Sequence, residues 1–459
     1  MALFNSHFGK NKVQEILKRK ATVYFVGIGG VSMSALAALL NDEGHRVSGC
    51  DAVTSPVIEN LRARGIRVSV PSGESLPENT DLVVYTLAVN GEEKALVDAA
   101  AHGIPTVSRA ELFGAVQERY QERIAVAGSH GKSTVTAMLA KVFAAAGKRP
   151  TVLSGAPLAQ SGLAYLGGDR DYLIAEACEY RDSFLSFSPT VTVVLNIEAD
   201  HPDYFHSDGQ LRRSFSDFMR LPSVKMRISE TSVGEGFLFG LDCGADIYAA
   251  DISYDGQGFP SFVPVFCKRR LPRIRLSVPG EHNVKNALAG IAVGLLLELP
   301  EKTVLSALEA FHGAPSRMEY KGIFCGAAVY EDYAHHPTEI AATIRAARRM
   351  TTGRIVTVFQ SHTYSRTYAF YDRFITTLQM SDLLFIADIY PARESDTLGM
   401  SGEKMAQDAG GTYVPSEKAA LALLQKTLQP GDLLLVMGAG NFRRIVDEMK
   451  LTDTGTDKK

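Results

Sequence analysis

The residues best suited to chemistry lie in Ile124–Met138, IAVAGSHGKSTVTAM. Ile124 to Ala127 are apolar and read as a buried strand. Gly128-Ser129-His130-Gly131-Lys132-Ser133-Thr134 form a tight turn, and Val135 onward has helical spacing. A strand, a glycine-bounded loop ending in Lys-Ser and a helix together make a phosphate cradle. Glycines let backbone N–H groups turn inward, the helix N-terminus adds positive dipole and Lys132 adds a point charge. The Ser133 hydroxyl is then placed to ligate Mg²⁺. The spacing is not that of an eight-residue Walker loop, which would need glycine where Val126 stands. The expected ligand is ATP.

Other chemistry-bearing clusters also follow apolar runs. Glu176 comes after the strand expected at Asp171–Ala175; Asn196, Glu198, Asp200 and His201 come after the one expected at Thr190–Leu195. In a parallel sheet the carboxyl ends of strands share one edge, so these groups are expected beside the phosphate loop. Mg²⁺ prefers oxygen, which makes Glu176 its natural partner and His201 a less usual one. Nearer the N-terminus, Thr22–Val26 leads into Gly27-Ile28-Gly29-Gly30-Val31-Ser32, and Asp51 ends the next strand, Arg46–Cys50. This is nearly a dinucleotide fingerprint, with an acid placed for a ribose hydroxyl and Ser32 in place of the third glycine. A phosphorylated or nucleotide-bearing ligand is expected there. In the last third, Asp332-Tyr333-Ala334-His335-His336 and His362-Thr363-Tyr364-Ser365-Arg366 each follow a strand. They lack compact tetrahedral metal spacing, and Arg366 argues for an anionic ligand.

The elements that must position these groups are those of an α/β protein. Further strands are expected at Ile66–Val70, Asp81–Thr86, Pro105–Val107, Ala327–Tyr330, Arg354–Phe359, Asp382–Ala387 and Asp432–Met437, with helical stretches such as Thr338–Met350 between them. At 459 residues the chain is too long for one core, and roughly 150 residues per domain suggests three. The expected divisions are 1–119, 120–313 and 314–459. A net charge of −3 gives no reason to expect nucleic acid or an acidic membrane surface. No apolar run reaches the ~18 residues of a membrane span, and the N-terminus lacks a signal-peptide core. The five cysteines have no paired spacing, against zinc or a disulfide framework. A cytoplasmic protein is expected, with a disordered polar tail, LTDTGTDKK.

The segments GIGGVSMS, AGSHGKST, EACEYRDSF, NIEADHPDYF, GEHNVKNALA, EDYAHHPTEI, FQSHTYSRT and MGAGNF occur in this order over nearly the whole chain. The series resembles the Mur ligase family. The resemblance implies an α/β fold of three domains: an N-terminal Rossmann-like domain for a UDP-sugar, a central P-loop ATPase-type parallel sheet, and a C-terminal Rossmann-like domain for an incoming amino acid. It implies that Gly27, Gly29, Gly30, Ser32 and Asp51 serve the UDP-sugar and that Gly128–Thr134 hold ATP. Lys132 would bridge the β- and γ-phosphates, Ser133 would hold one Mg²⁺, and Glu176 and His201 would form a second metal site. His282, Asn283 and Asn286 match positions around the nucleotide base, and the two amides, three residues apart, share a helix face. Arg317 matches an arginine on the γ-phosphate side. Tyr333, His335, His336 and Arg366 lie where the amino acid is held, with Arg366 pairing its carboxylate. Asp332 would keep either the amine or the ATP ribose in place.

The implied reaction is amide formation driven by ATP, through an acyl phosphate on the lactyl carboxylate of UDP-N-acetylmuramate that the amine of L-alanine then attacks. A murein tripeptide is the alternative second substrate, and a non-catalytic UDP-sugar-binding paralogue is the alternative class. That last reading draws on departures from the family pattern at Ser32, Leu87, Ser316 and Ser361. It draws also on the stretch between Pro222 and Phe237, where a strand, an Asn-x-Asp-Asp turn and a helix are expected to be missing. Small molecules are the expected partners, in a monomer or weak dimer.

Overall fold

The β-branched and aromatic runs of the first hundred residues become a five-stranded sheet. The structure is a computed structural model that describes residues 9–89, 92–158, 161–392 and 394–452. By contacts these divide into two units. One comprises the chain up to Ile197 with Arg212–Leu238 and Val293–Val304; the other comprises Glu198–Leu211, Phe239–Ala292 and the chain from Leu305.

The first unit begins with α1 (Gly9–Leu17), β1 (Thr22–Val26), α2 (Val31–Asp42), β2 (Arg46–Cys50), α3 (Pro56–Ala63) and β3 (Arg67–Ser69). β4 (Leu82–Tyr85), α4 (Lys94–Ala101), β5 (Thr106–Ser108) and α5 (Arg109–Gln117) follow. The strands pair in the order β3-β2-β1-β4-β5, all parallel. Strand order reverses at β1, which puts the Gly27–Gly30 loop at the switch point where open α/β sheets bind ligands.

The chain then forms β6 (Glu122–Ala127), α6 (Lys132–Ala145), β7 (Pro150–Leu153), β8 (Tyr165–Leu166), β9 (Asp169–Ala177) and β10 (Val191–Val194). α7 (Asp208–Met219), β11 (Met226–Glu230) and β12 (Phe237–Gly240) come next. Within the first unit the order is β8-β7-β9-β6-β10-β11, parallel except for β8. β6 lies at the centre, with Ile124–Ala127 facing Ile174–Ala177 on one side and Val191–Val194 on the other. Two expectations are corrected here. A strand does form in the 223–236 stretch: β11 pairs with β10 from Val191↔Met226 to Val194↔Ser229. The Asn-x-Asp-Asp turn and the helix are missing, replaced by a turn over 231–236 in which the Ser229 hydroxyl donates to the Glu235 carbonyl at 2.7 Å. Glu176, expected beyond its strand, lies inside β9, which continues to Ala177.

In the second unit β13 (Ile247–Tyr254) runs parallel to the end of β12. It pairs antiparallel with β14 (Pro260–Phe266), which in turn pairs with β15 (Arg269–Arg270) and β16 (Ile274–Arg275). α8 (Glu281–Leu296) and α9 (Glu301–Glu309) precede β17 (Glu319–Phe324), β18 (Ala327–Asp332), α10 (Pro337–Met350) and β19 (Ile355–Gln360). α11 (Tyr364–Ala369), α12 (Tyr371–Leu378), β20 (Leu383–Ile386), α13 (Gly402–Ala409) and β21 (Thr412–Tyr413) continue the fold. It closes with α14 (Glu417–Thr427), β22 (Leu433–Gly438) and α15 (Ile445–Glu448). The sheet order is β17-β18-β22-β19-β20-β21, with only β17 antiparallel. Leu433, Leu435 and Met437 pack on one face, Leu434 and Val436 on the other. Alternation with both faces buried is what a parallel sheet covered by helices requires. Of the tail, Thr452 is paired with Ile323; 453–459 lie outside the described residues.

Among the described residues no helix is long and apolar enough to cross a membrane.

Candidate active site

β6 delivers the phosphate loop and α6 begins immediately after it. Gly128 has φ +140° and Gly131 φ +84°, backbone conformations that glycine alone adopts readily. Gly131 is also the N-cap of α6 and offers no side-chain cap, so the first amides of the helix face the loop without one. Asn196, just past β10, fixes the loop from the side. Its Oδ1 accepts from the His130 N–H at 2.8 Å, and its Nδ2 donates to the His130 carbonyl at 3.0 Å. Ser133 and Thr134 are buried in the first turn of α6.

Lys132 folds back over this loop. Its Nζ donates to the Gly128 and Ser129 carbonyls and pairs with Glu179 Oε2 at 3.2 Å. Burial works against the ammonium charge, but Glu179 and, more weakly, Cys178 and Glu176 outweigh it and push its pKa up. Lys132 is therefore a firmly charged cation. Glu176 Oε1 accepts from the Ser154 hydroxyl at 3.0 Å and from the Gly155 N–H. Its Oε2 takes no hydrogen bond among the described residues, and a Cβ at Gly155 would stand 2.5 Å from it. A half-buried carboxylate oxygen left over in this way, with the Ser133 hydroxyl, has the hard-oxygen chemistry that suits Mg²⁺. The uncapped helix end and Lys132 suit a polyphosphate.

The other glycine loop of this unit is held by Asp51. Asp51 Oδ2 accepts from the Gly29 N–H at 2.8 Å, and Oδ1 accepts from its neighbour Ala52. A Cβ at Gly29 would lie 2.9 Å from that carboxylate, and one at Gly27 (φ +79°) 2.6 Å from Thr86. Gly30 caps α2 without a side-chain bond, and Ser32 is the second residue of the helix. Asp51, just past the end of β2, thus braces the loop.

In the second unit His201 adjoins a buried ion pair. Arg366 donates to Asp200 Oδ1 from Nε (3.0 Å) and Nη2 (2.9 Å), and its Nη1 meets His362 Nδ1 at 3.2 Å. Guanidinium cannot accept, so His362 Nδ1 does. Burial would raise the Asp200 carboxyl, but His201, Arg366, His335 and His336 hold it well below the usual carboxylate range. His201 itself is left-handed (φ +53°), and its Nε2 lies 3.8 Å from Asp200 Oδ2. Arg366, expected to face a substrate carboxylate, already has an acid of its own. It still keeps two N–H groups beyond those used here.

His335 donates from Nδ1 to the Tyr333 carbonyl at 2.9 Å; burial, opposed by Glu339, lowers its pKa to about 3. Burial and Arg366 lower His362 to about 4. His336, fully buried, caps α10 by accepting from Thr338 N–H at 3.3 Å. Asp332 accepts from Met318 N–H (2.8 Å) and Ala334 N–H (2.7 Å), and burial raises it to about 6 despite Arg317. Both Asp332 oxygens therefore pin the flanking loops. The Arg317 and Arg443 guanidinium groups lie over the Tyr333 ring, 5.2 and 5.0 Å from its centroid. On α8, Asn283 Nδ2 donates to the Pro279 carbonyl (2.7 Å) and Asn286 Nδ2 to Asn283 Oδ1 (3.0 Å), so the two amides do share a face. His282 precedes them, lowered to about 4 by burial.

The first unit thus gathers Gly128–Thr134 with Glu176, while His201 belongs to the second with Tyr333, His335, His336 and Arg366. Sequence reasoning missed Glu179 and Arg443, and gave Asn196 no role. The acid of Glu179 stands in the quoted segment EACEYRDSF, three positions past Glu176, and could have been weighed there.

Three matches to known proteins accord with this geometry. Residues 22–121 match the Mur ligase family, catalytic domain; residues 126–294 match the Mur ligase middle domain; residues 316–440 match the Mur ligase, glutamate ligase domain. The chain belongs to the Mur ligase family. Among individual relatives, it is 40% identical to UDP-N-acetylmuramate–L-alanine ligase of Agathobacter rectalis, over 93% of this chain and 97% of that one. It is 37% identical to the enzyme of the same name from Clostridium tetani, over 94% and 98%. The solved UDP-N-acetylmuramate–alanine ligase MurC of Thermotoga maritima superposes with a TM-score of 0.80 at 25% identity, covering 93% and 97%. The murein peptide ligase of Psychrobacter arcticus shares the fold, with a TM-score of 0.67 at 23% identity over 93% and 98%.

Proposed function

We propose that this chain is an ATP-dependent, ADP-forming ligase that joins L-alanine to the lactyl carboxylate of UDP-N-acetylmuramate, a step of peptidoglycan precursor synthesis in the cytoplasm. The observation that carries the choice of substrates is the end-to-end likeness, at 37–40% identity, to ligases of that name. The phosphate loop, its charged lysine and the spare oxygen of Glu176 support the energy source.

The domains proposed are 1–119 for the UDP-sugar, 120–313 for ATP and 314–459 for the amino acid, acting in a monomer or weak dimer. The acceptor carboxylate oxygen attacks the γ-phosphorus in line, the bond to the bridging oxygen breaks, and ADP leaves. Phosphoryl transfer of this kind asks for positioning and charge neutralisation rather than covalent help. Lys132 and the first amides of α6 supply both to the phosphates. Ser133 and Glu176 offer the oxygens for magnesium, which when bound neutralises further phosphate charge. The alanine amine, once deprotonated, attacks the acyl carbon, and the carbon–oxygen bond to phosphate breaks. Neutral His335 and His362 line this side without adding charge, while Tyr333 and Arg366 orient the amino acid. Asp332 and Arg317 fix the loops on either side.

Phosphate release measured with alanine and with a murein tripeptide tests the assignment. Release with alanine and little with tripeptide is expected; the reverse order would make the chain a recycling ligase, and binding of UDP-N-acetylmuramate without release would make it a non-catalytic paralogue.

A further inference from the structure

Arg109 is the first residue of α5, and the helix is fastened along its length to the segment that follows β9. At its far end the Gln117 amide oxygen accepts from Ser188 N–H at 2.6 Å. In the middle Phe113 meets Phe187 edge-on, ring centroids 4.6 Å apart, and Gly114 presses so closely on the Ser186 carbonyl that no Cβ would fit. As α5 is followed back from Gln117 to Arg109, its partners run back from Ser188 toward Cys178. A capping box of Ser108 and Glu111 fixes the first turn. These ties bring the Arg109 guanidinium within electrostatic reach of the Cys178 thiol, which also lies within reach of Lys132 and Glu179.

The two cations here are treated differently. Lys132 has Glu179. Arg109 is half-buried, and among the described residues no hydrogen bond or ion pair engages it. A guanidinium partly withdrawn from water with no anion beside it is disfavoured, and its fork of N–H donors is shaped for carboxylate or phosphate. An anion from outside the chain would restore the balance. The loop beside it serves the ATP phosphates, which Lys132 already addresses, whereas α5 closes the sheet whose Gly27–Gly30 loop faces the UDP-sugar.

The geometry points to Arg109 as the residue that receives the carboxylate of the sugar-nucleotide acceptor and holds it for attack at the γ-phosphate. This rests on the proposed function and names a contact within it. In the full-length protein, calorimetric titration with UDP-N-acetylmuramate, with UDP-N-acetylglucosamine (which lacks the lactyl carboxylate) and with a non-hydrolysable ATP analogue separates the possibilities. Arg109→Gln is expected to weaken UDP-N-acetylmuramate at least tenfold and to leave the other two within twofold. Arg109→Lys, which keeps charge but not the fork, should fall between and serves if the glutamine variant does not fold. Equal loss for both sugars would assign Arg109 to the diphosphate, loss for the ATP analogue would assign it to ATP, and no change would make it structural; each overturns the proposal. A wild-type chain that binds neither sugar would overturn the proposed function as well, whereas wild-type binding with an unaffected Arg109→Gln variant overturns this assignment alone.

Discussion

Arg366 shows what a side chain's partner does to its role. Its charge was legible in HTYSRT as an anion binder, but Asp200 lies 166 positions away, and only the folded chain brings the two together. Removing one member of a buried, hydrogen-bonded pair leaves the other charge stranded, at a cost of about 3–5 kcal/mol. Arg366→Ala is therefore expected to lower the melting temperature sharply, not only to impair amino-acid use. The double variant Asp200→Asn with Arg366→Gln should recover much of that stability while remaining poor with alanine. Thermal melts of the two variants check this; an unshifted melt for Arg366→Ala would mean that the pair contributes little and that Arg366 faces substrate alone. Glu179 carries the same lesson for Lys132. The lysine was assigned from its loop, but an acid within the next segment has no spacing rule that ties it to a particular cation.

At the scale of elements the sequence was most readable where periodicity is strong. β1 and β2 have the bounds expected of them, and the C-terminal strands deviate by a residue or two, because their alternate side chains must fill two apolar faces. The antiparallel strands β13–β16 went unread: YAADIS and its neighbours mix polar and apolar residues, and the register slips between Ala250 and Ser253. The sequence predicts no strand at β11, because SVKMRISETSVGEG stands where a strand, an Asn-x-Asp-Asp turn and a helix are expected, yet pairing with β10 is satisfied by backbone alone. Asn196 illustrates how an element's end controls a loop. Its amide makes two hydrogen bonds to the His130 backbone, each worth about 0.5–1.5 kcal/mol net. Asn196→Ala should loosen the phosphate loop and weaken ATP roughly tenfold, while the affinity for the UDP-sugar, which we propose the other sheet sets, stays within twofold. Calorimetric titration of each nucleotide decides; an equal loss of both would mean that Asn196 supports the whole unit rather than the loop.

For the molecule as a whole, histidines held neutral by their surroundings tie stability to pH. His282 is lowered from 6.5 to about 4 by burial. Between those values the unfolded chain binds a proton that the folded chain refuses, so this contribution is complete above pH 6.5 and is lost as pH falls toward 4. Its slope approaches about 1.4 kcal/mol per pH unit for one proton. Urea melts between pH 7 and 4.5 should show His282→Gln losing stability less steeply than wild type; parallel curves would contradict the lowered pKa of that imidazole. Fold class and the three-domain plan were legible from motif order across the chain. The grouping of side chains was less so, because ion pairs such as Lys132–Glu179 and Arg366–Asp200 depend on how strand ends and loops converge. Everything nonetheless turns on a triphosphate resting against Gly128–Thr134 and being spent on an amide bond. ADP release should therefore be followed with ATP, magnesium, UDP-N-acetylmuramate and L-alanine, each omitted in turn, in wild type and Lys132→Ala. The account predicts full release only when all four are present and a loss of at least ~2.7 kcal/mol of transition-state stabilisation, about a hundredfold in rate, without the lysine. Release that persists without the sugar nucleotide, or a Lys132→Ala variant that turns over at the wild-type rate, would contradict it.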